Sequence, residues 1–402
     1  MGRKKIGLLR EGKFPPDSRV AMTPAQCQLF KDKFPHIDLV VQPSHGRCFA
    51  DAEYAEKGIA LQEDLHDCDV LFGIKEVPVE SLLHDKTYLF FSHTIKKQPY
   101  NRKLMQALLR KRIKMVDYEC LVDEAGFRVI AFGRWAGIVG AHNALWTWSR
   151  RTGDFPFKRA KDMKDFAALK SYYKKVTLPP LRIVVTGSGR VAKGSMEVME
   201  LLGIEKVSPE DFLQNSYNKS VYMNLVDSYM YKRIKDEGYD KKEFHQFPDR
   251  YYSTAYSYVA SADILINGIF WNPEAPRLFE KPDMHRKDFK VQVVADISCD
   301  VDGSVPATLR TTTINEPVFG YNKYTDEATA PFETDTIDIM AVDNLPNELP
   351  RDASSEFGNV ILSTIITELQ NPESRMVNDA TICLGGKLNT PYLYLSDYTA
   401  GD

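Results

Sequence analysis

Arg182–Thr186 (RIVVT) runs straight into Gly187-Ser188-Gly189-Arg190-Val191-Ala192, and no other stretch limits so sharply what this chain can become. The five residues before the glycines are apolar and β-branched, and Val191 onward (VAKGSMEVMELLG) reads as a helix. Gly187, Gly189 and Ala192 fit G-x-G-x-x-A at a strand-to-helix turn. Gly187 permits the tight turn, Gly189 lets the backbone approach a pyrophosphate, and Ala192 lets the helix pack closely on its strand. The helix N-terminus then offers unpaired N–H groups to phosphate oxygens. An ordinary turn can produce the same letters; the strand before and the helix after make this a predicted dinucleotide site.

In such a unit the second strand ends about 20 residues on with Asp or Glu when the ribose 2′-hydroxyl is read. Glu205–Ser208 (EKVS), taken as that strand, ends in Ser208, 19 positions after Gly189. Glu210 and Asp211 follow, but Pro209 marks a helix start there. A missing acid leaves room for a 2′-phosphate, which Arg190 or Lys206 would pair. This reading favours NADP(H) slightly over NAD(H).

The rest of the chain alternates strand-like and helix-like segments. Lys5–Arg10, Asp38–Val41, Asp69–Ile74, Tyr88–Phe91 and Lys114–Asp117 read as buried strands, with helical spacing at Thr23 onward and across Gln98–Arg110. A second series starts at Leu181 and continues through Ile264–Gly268 and Val291–Ile297. The expected fold class is α/β, with two Rossmann-like domains whose parallel sheets are flanked by helices and an active site in the cleft between them. One domain is expected over 1–134 plus about 335–402, binding substrate. The dinucleotide-binding domain takes about 135–334. Gly133–Arg151 is read as a long helix passing between them, and Ser354–Leu369 as a late helix returning to the first.

With a formal net charge of −3 the chain has no basic field for a phosphate backbone, so nucleic acid is not an expected partner. No apolar run reaches the roughly 18 residues of a membrane helix. Six scattered cysteines with no C-x-x-C pair suggest free thiols in a reducing compartment, and a cytoplasmic location is expected. The eight histidines show no ligand spacing, so no metal is expected. Oligomeric state is not legible.

Two segments end in polar residues where an open α/β sheet binds its ligands. Gly73-Ile74-Lys75-Glu76 sets Lys75 at a strand's C-terminal end, and Phe90-Phe91-Ser92-His93 sets His93 at the next. Each alone would pass for a solvated strand end; together they suggest an acid/base pair. A lysine acts as a base when burial or nearby cations lower its pKa, whereas histidine titrates near neutrality unaided.

Arg19-Val20-Ala21-Met22-Thr23-Pro24, the Lys75 and His93 segments, Arg128–Gly133 (RVIAFG) and Asp343-Asn344-Leu345-Pro346 together resemble the saccharopine dehydrogenases of the alanine dehydrogenase and transhydrogenase clan. The likeness is strongest to the lysine–ketoglutarate reductase portion of aminoadipic semialdehyde synthases. It implies NAD(P)-dependent interconversion of saccharopine with lysine and 2-oxoglutarate, with Lys75 as general base and His93 as acid/base. It further implies substrate contacts at Arg19, Gln98, Arg128, Phe132, Ser298, Cys299 and Asp300. Cofactor contacts are implied at Gly189, Arg190 and Val342, Asp343, Asn344 and Leu345. Ser208 departs from the acid of the NAD-using relatives, and only the reductase half of the bifunctional enzymes is expected. An alanine dehydrogenase-like or opine-type enzyme, or a nucleotide-binding regulatory subunit without turnover, are the alternatives.

Overall fold

The computed structural model describes residues 3–400, which divide into two compact units, residues 3–132 with 350–400, and residues 133–349. In the first unit β1 (Lys4–Leu8), β2 (Ile37–Val41), β3 (Ala60–Leu61), β4 (Val70–Phe72), β5 (Thr87–Phe90) and β6 (Lys114–Asp117) pair in parallel, in the spatial order β3-β2-β1-β4-β5-β6. The segments Thr381–Leu384 and Lys387–Leu388 extend the sheet antiparallel beyond β6. Successive residues of a strand point to opposite faces, and here both faces are buried. Leu71, Tyr88, Phe90 and Met115 join Leu104 and Leu108 of the helix Arg102–Arg110 in one cluster. Phe72, Leu89 and Val116 join Phe30, Phe357 and Ile361 in the other. That two-sided burial is why the strands read as near-continuous apolar runs.

Helix Pro24–Lys33 starts with Thr23 in a capping box with Gln26 and Pro24 in the first turn. Gln26 also reaches Asn359 Oδ1 at 2.7 Å, tying this helix to the late helical stretch beginning at Pro350.

The second unit holds β7 (Arg182–Thr186), β8 (Glu205–Lys206) and β9 (Val221–Leu225). Its sheet runs β8-β9-β7, then Ile264–Asn267, Val293–Asp296 and Thr336–Met340 in parallel, ending in two antiparallel strands, Val318–Asn322 and Glu327–Thr329. Helix Gly133–Thr152 belongs wholly to this unit and packs on helix Arg190–Leu201. A Cβ on Gly137 would lie 2.0 Å from the Val191 carbonyl oxygen, and one on Gly194 2.1 Å from that of Arg134, so only glycine permits this approach. The return to the first unit comes at residue 350 rather than near 335, because Thr336–Met340 is a buried, paired strand of the second sheet. No helix among the described residues is long and apolar enough to cross a membrane.

Candidate active site

The order β3-β2-β1-β4-β5-β6 reverses direction between β1 and β4, and open sheets of this kind bind ligands outside the strand ends at that reversal. Glu11 lies just past β1 and Lys75 just past β4. The Glu11 carboxylate accepts the backbone N–H of Ile74 at 2.7 Å and of Lys75 at 2.8 Å, so it bridges the crevice and fixes the turn that presents Lys75. Desolvation, then the charge of Asp17, push Glu11 up to about 8 against those two bonds.

One strand further on, His93 follows β5 with φ +51 and donates or accepts through Nδ1 at 2.7 Å from Glu76 Oε1. Lys13 Nζ holds the other carboxylate oxygen at 2.7 Å. Burial alone would raise Glu76, but the bonds and charges of His93 and Lys13 outweigh it and hold the acid at about 2. Glu76 is thus an anion that orients the imidazole and leaves Nε2 as the ring nitrogen facing outward. Burial lowers the Lys75 amine, Arg19 adds to the fall, and Asp17 opposes it. At the end of β6, Asp117 accepts Ser92 N–H at 3.1 Å and Glu119 N–H at 2.8 Å, and burial lifts it to about 6.

The structure brings Lys75 and His93 together with Arg19 and Phe132. Arg19 is 3% exposed, and its Nε and Nη2 engage Asp17 at 2.9 and 2.5 Å. Its guanidinium lies 4.1 Å from the Phe132 ring centre, and that ring stacks on Phe357 at 4.6 Å. Arg19 is thus a buried guanidinium matched by a carboxylate, with its charge close enough to Lys75 to lower that amine. Arg128 is nearly half exposed, and its Nη2 lies 3.5 Å from Glu119 Oε1. Gln98 lies on the loop after His93 and accepts Tyr100 Oη at 2.6 Å. Sequence reasoning assigned no role to Glu11, Lys13, Asp17, Glu76 or Asp117. Their positions at a strand's last residue or within five residues past a strand end, or just ahead of Arg19, were the available signal.

In the second unit Gly187 has φ +93, which an L side chain rarely adopts. Its N–H donates to Leu225 O at 2.9 Å. A Cβ on Gly189 would meet nothing within 4 Å, and Gly189 caps the twelve-residue helix Arg190–Leu201 without a side-chain bond. An open face, a free-standing helix N-terminus and a buried Ala192 fit the pyrophosphate of a dinucleotide. The expected role of Ser208 is corrected here. The strand beside β7 is β9, not Glu205–Lys206, which pairs outside β9 at the sheet edge. Ser208 caps a short helix, Pro209–Gln214, accepting Asp211 N–H at 3.0 Å. The residue past the tip of β9 is Asp227, two positions beyond the Leu225 carbonyl that holds Gly187. The inserted strand and helix doubled the usual spacing and hid it.

Asn267 links the ends of three strands of this sheet, accepting Thr186 Oγ1 at 2.7 Å and donating to Asp296 Oδ1 at 2.9 Å. Ser298, Cys299 and Asp300 follow directly; Ser298 Oγ donates to Ile269 O at 2.6 Å, and Cys299 has φ +58. Val342 and Leu345 are core side chains, 1% and 2% exposed, so of that loop Asp343 is the exposed side chain.

Residues 7–139 match the family model for the alanine dehydrogenase/PNT N-terminal domain. The chain is 31% identical over 406 residues to a mitochondrial alpha-aminoadipic semialdehyde synthase of Bos taurus, covering 89% of this chain and 44% of that protein. It thus spans less than half the length of those relatives. It is 25% identical over 417 residues to the saccharopine dehydrogenase [NAD(+), L-lysine-forming] of Emericella nidulans, covering 97% of this chain and 99% of that one. Among solved structures an L-alanine dehydrogenase aligns over 98% of this chain and all of that one with a TM-score of 0.64 at 16% identity. A transhydrogenase from Sinorhizobium meliloti aligns over 96% and 99% with 0.57 at 15%. These two establish the fold.

Proposed function

We propose that this chain, a homologue of the saccharopine dehydrogenases and aminoadipic semialdehyde synthases with an alanine dehydrogenase/PNT N-terminal domain, interconverts saccharopine with lysine and 2-oxoglutarate. The observation that carries this reading is the pairing of a half-buried lysine and a carboxylate-held histidine on neighbouring strand ends at the reversal of the first sheet. In the reductive direction the ε-amine of lysine adds to the keto carbon of 2-oxoglutarate, water leaves, and the resulting imine carbon accepts hydride. The bound nicotinamide supplies hydride transfer.

The remaining work is proton movement and positioning. His93 Nε2 gives a proton to the departing hydroxyl of the carbinolamine, while Glu76 stabilises the imidazolium. Lys75, its amine lowered by burial and Arg19, protonates the secondary amine in the reductive direction and removes that proton in reverse. Arg128 pairs a substrate carboxylate, for which a guanidinium is a two-pronged donor. Phe132, fixed between Arg19 and Phe357, gives the apolar wall.

The dinucleotide is NAD(H). Asp227 stands past the strand adjacent to the glycine turn, where a carboxylate accepts from the ribose hydroxyls and repels a 2′-phosphate. This replaces the preference drawn from Ser208.

An NADH-consumption screen tests the assignment, pairing lysine, ornithine, alanine and ammonia with 2-oxoglutarate or pyruvate. Turnover is expected with lysine and 2-oxoglutarate. Turnover with ammonia and pyruvate in its place would make the chain an alanine dehydrogenase.

A further inference from the structure

The loop that carries His93 is gripped from outside by the segment Thr390–Ala400, on which the functional reading above is silent. Its first half is held from the sheet. Ser92 N–H donates to Asp117, and Asn101 Nδ2 donates to Ser92 O at 3.1 Å. The second half bends away through Lys97, whose φ is +54, and His93 itself has φ +51. Two non-glycine residues in the left-handed region four positions apart cost conformational energy that surrounding contacts must offset.

Those contacts come from Thr390–Ala400. Tyr394 Oη donates to Ile95 O at 2.9 Å, and Tyr398 Oη donates to Gln98 O at 2.5 Å. Between them Lys97 Nζ grips both oxygens of Asp397, at 2.7 and 2.9 Å. Three residue pairs thus match loop positions 95, 97 and 98 in register. The segment is anchored in turn: Tyr398 is 3% exposed, Leu395 is buried in the same apolar cluster, and Gln106 Nε2 donates to Thr399 O at 3.2 Å.

We propose that Tyr394, Asp397 and Tyr398 are positioning residues for the proposed active site, forming a strap that holds His93 and Gln98 in their working conformation. The strap acts through backbone carbonyls and one ion pair, touches no reacting atom, and sits some 300 positions away in sequence. Its catalytic consequence rests on the saccharopine reading; its mechanical consequence does not.

The test is the double variant Tyr394→Phe/Tyr398→Phe, which keeps both rings, the buried one of Tyr398 and the half-exposed one of Tyr394, and removes only the two hydroxyls. Hydrogen exchange of amides 94–98 should speed up about tenfold or more, as expected when a local closing equilibrium is weakened. The kcat/KM for saccharopine should fall about tenfold, which is 1.4 kcal/mol, with KM for the dinucleotide unchanged within about twofold. Asp397→Ala should act in the same direction, and Asp397→Glu should recover most of the loss. Exchange at 94–98 equal to the parent would overturn the strap. So would faster exchange with kcat/KM untouched, since the loop would then need no holding. A parent chain inactive towards saccharopine would sink the functional reading, and the exchange measurement alone would then decide the strap.

Discussion

In the proposed reaction Lys75 serves as a base to the extent that its amine gives up a proton at working pH. Burial and the Arg19 guanidinium push it that way, and Asp17 and Glu76 pull back. The neutral form therefore accumulates at lower pH than for a solvated lysine, and the oxidative rate should rise as pH climbs through that lowered pKa. Lys75→Met should erase this limb and lower kcat by roughly 10²–10⁴-fold, the usual worth of a general base. KM for the dinucleotide should hold, since the glycine turn belongs to the other unit. Steady-state rates across pH check this; an intact limb in the variant would return Lys75 to a structural role. Asp227 makes the second residue-scale claim. Asp227→Ser removes the carboxylate proposed to exclude a 2′-phosphate, so the kcat/KM ratio of NADPH to NADH should rise at least about tenfold, a 1.4 kcal/mol change. A parent that already prefers NADPH, with a ratio the substitution leaves alone, would place the ribose elsewhere.

At the scale of elements, the nucleotide site depends on two helices in backbone contact. Gly137→Ala puts a methyl 2.0 Å from the Val191 carbonyl oxygen, so the helix that presents its N-terminus to the phosphates must shift. Overpacking of this kind costs about 1–3 kcal/mol. Denaturant unfolding of the second unit should show that loss, with weaker dinucleotide binding; neither changing would mean the helices separate freely. The sequence showed the small residues of Gly133–Thr152 but not their purpose, because a glycine that permits close approach looks like one that merely bends. Strand ends bearing Lys75 and His93 were legible, since chemistry follows directly on an apolar run. Val221–Leu225 was missed because Glu205–Lys206 and its helix stand where the twenty-residue count falls. The exchange between β8 and β9 is a matter of spatial order, which pattern in one strand does not carry.

Across the whole molecule the same parallel core recurs, a sheet that reverses next to its first strand, with different residues at the crevice. In the first unit Lys75 and His93, the proposed acid/base pair, lie at that crevice, and in the second a glycine turn does. The two-sheet plan could be read from alternation alone. The charge arrangement could not: Asp17 beside Arg19 looks like a surface pair in the sequence, and only burial turns it into a fixed field at Lys75. Glu11 was invisible for the same reason, since its partners are backbone amides more than sixty positions away. In the proposed reaction these features serve one event, hydride delivery to an imine carbon between lysine and 2-oxoglutarate. Incubating the chain with lysine, 2-oxoglutarate and NADH deuterated at the nicotinamide C4 reads that event by mass spectrometry. The expected product is saccharopine carrying one deuterium on the α-carbon of its glutarate arm. Saccharopine without deuterium, or deuterium found only in a product lacking lysine, would contradict the account.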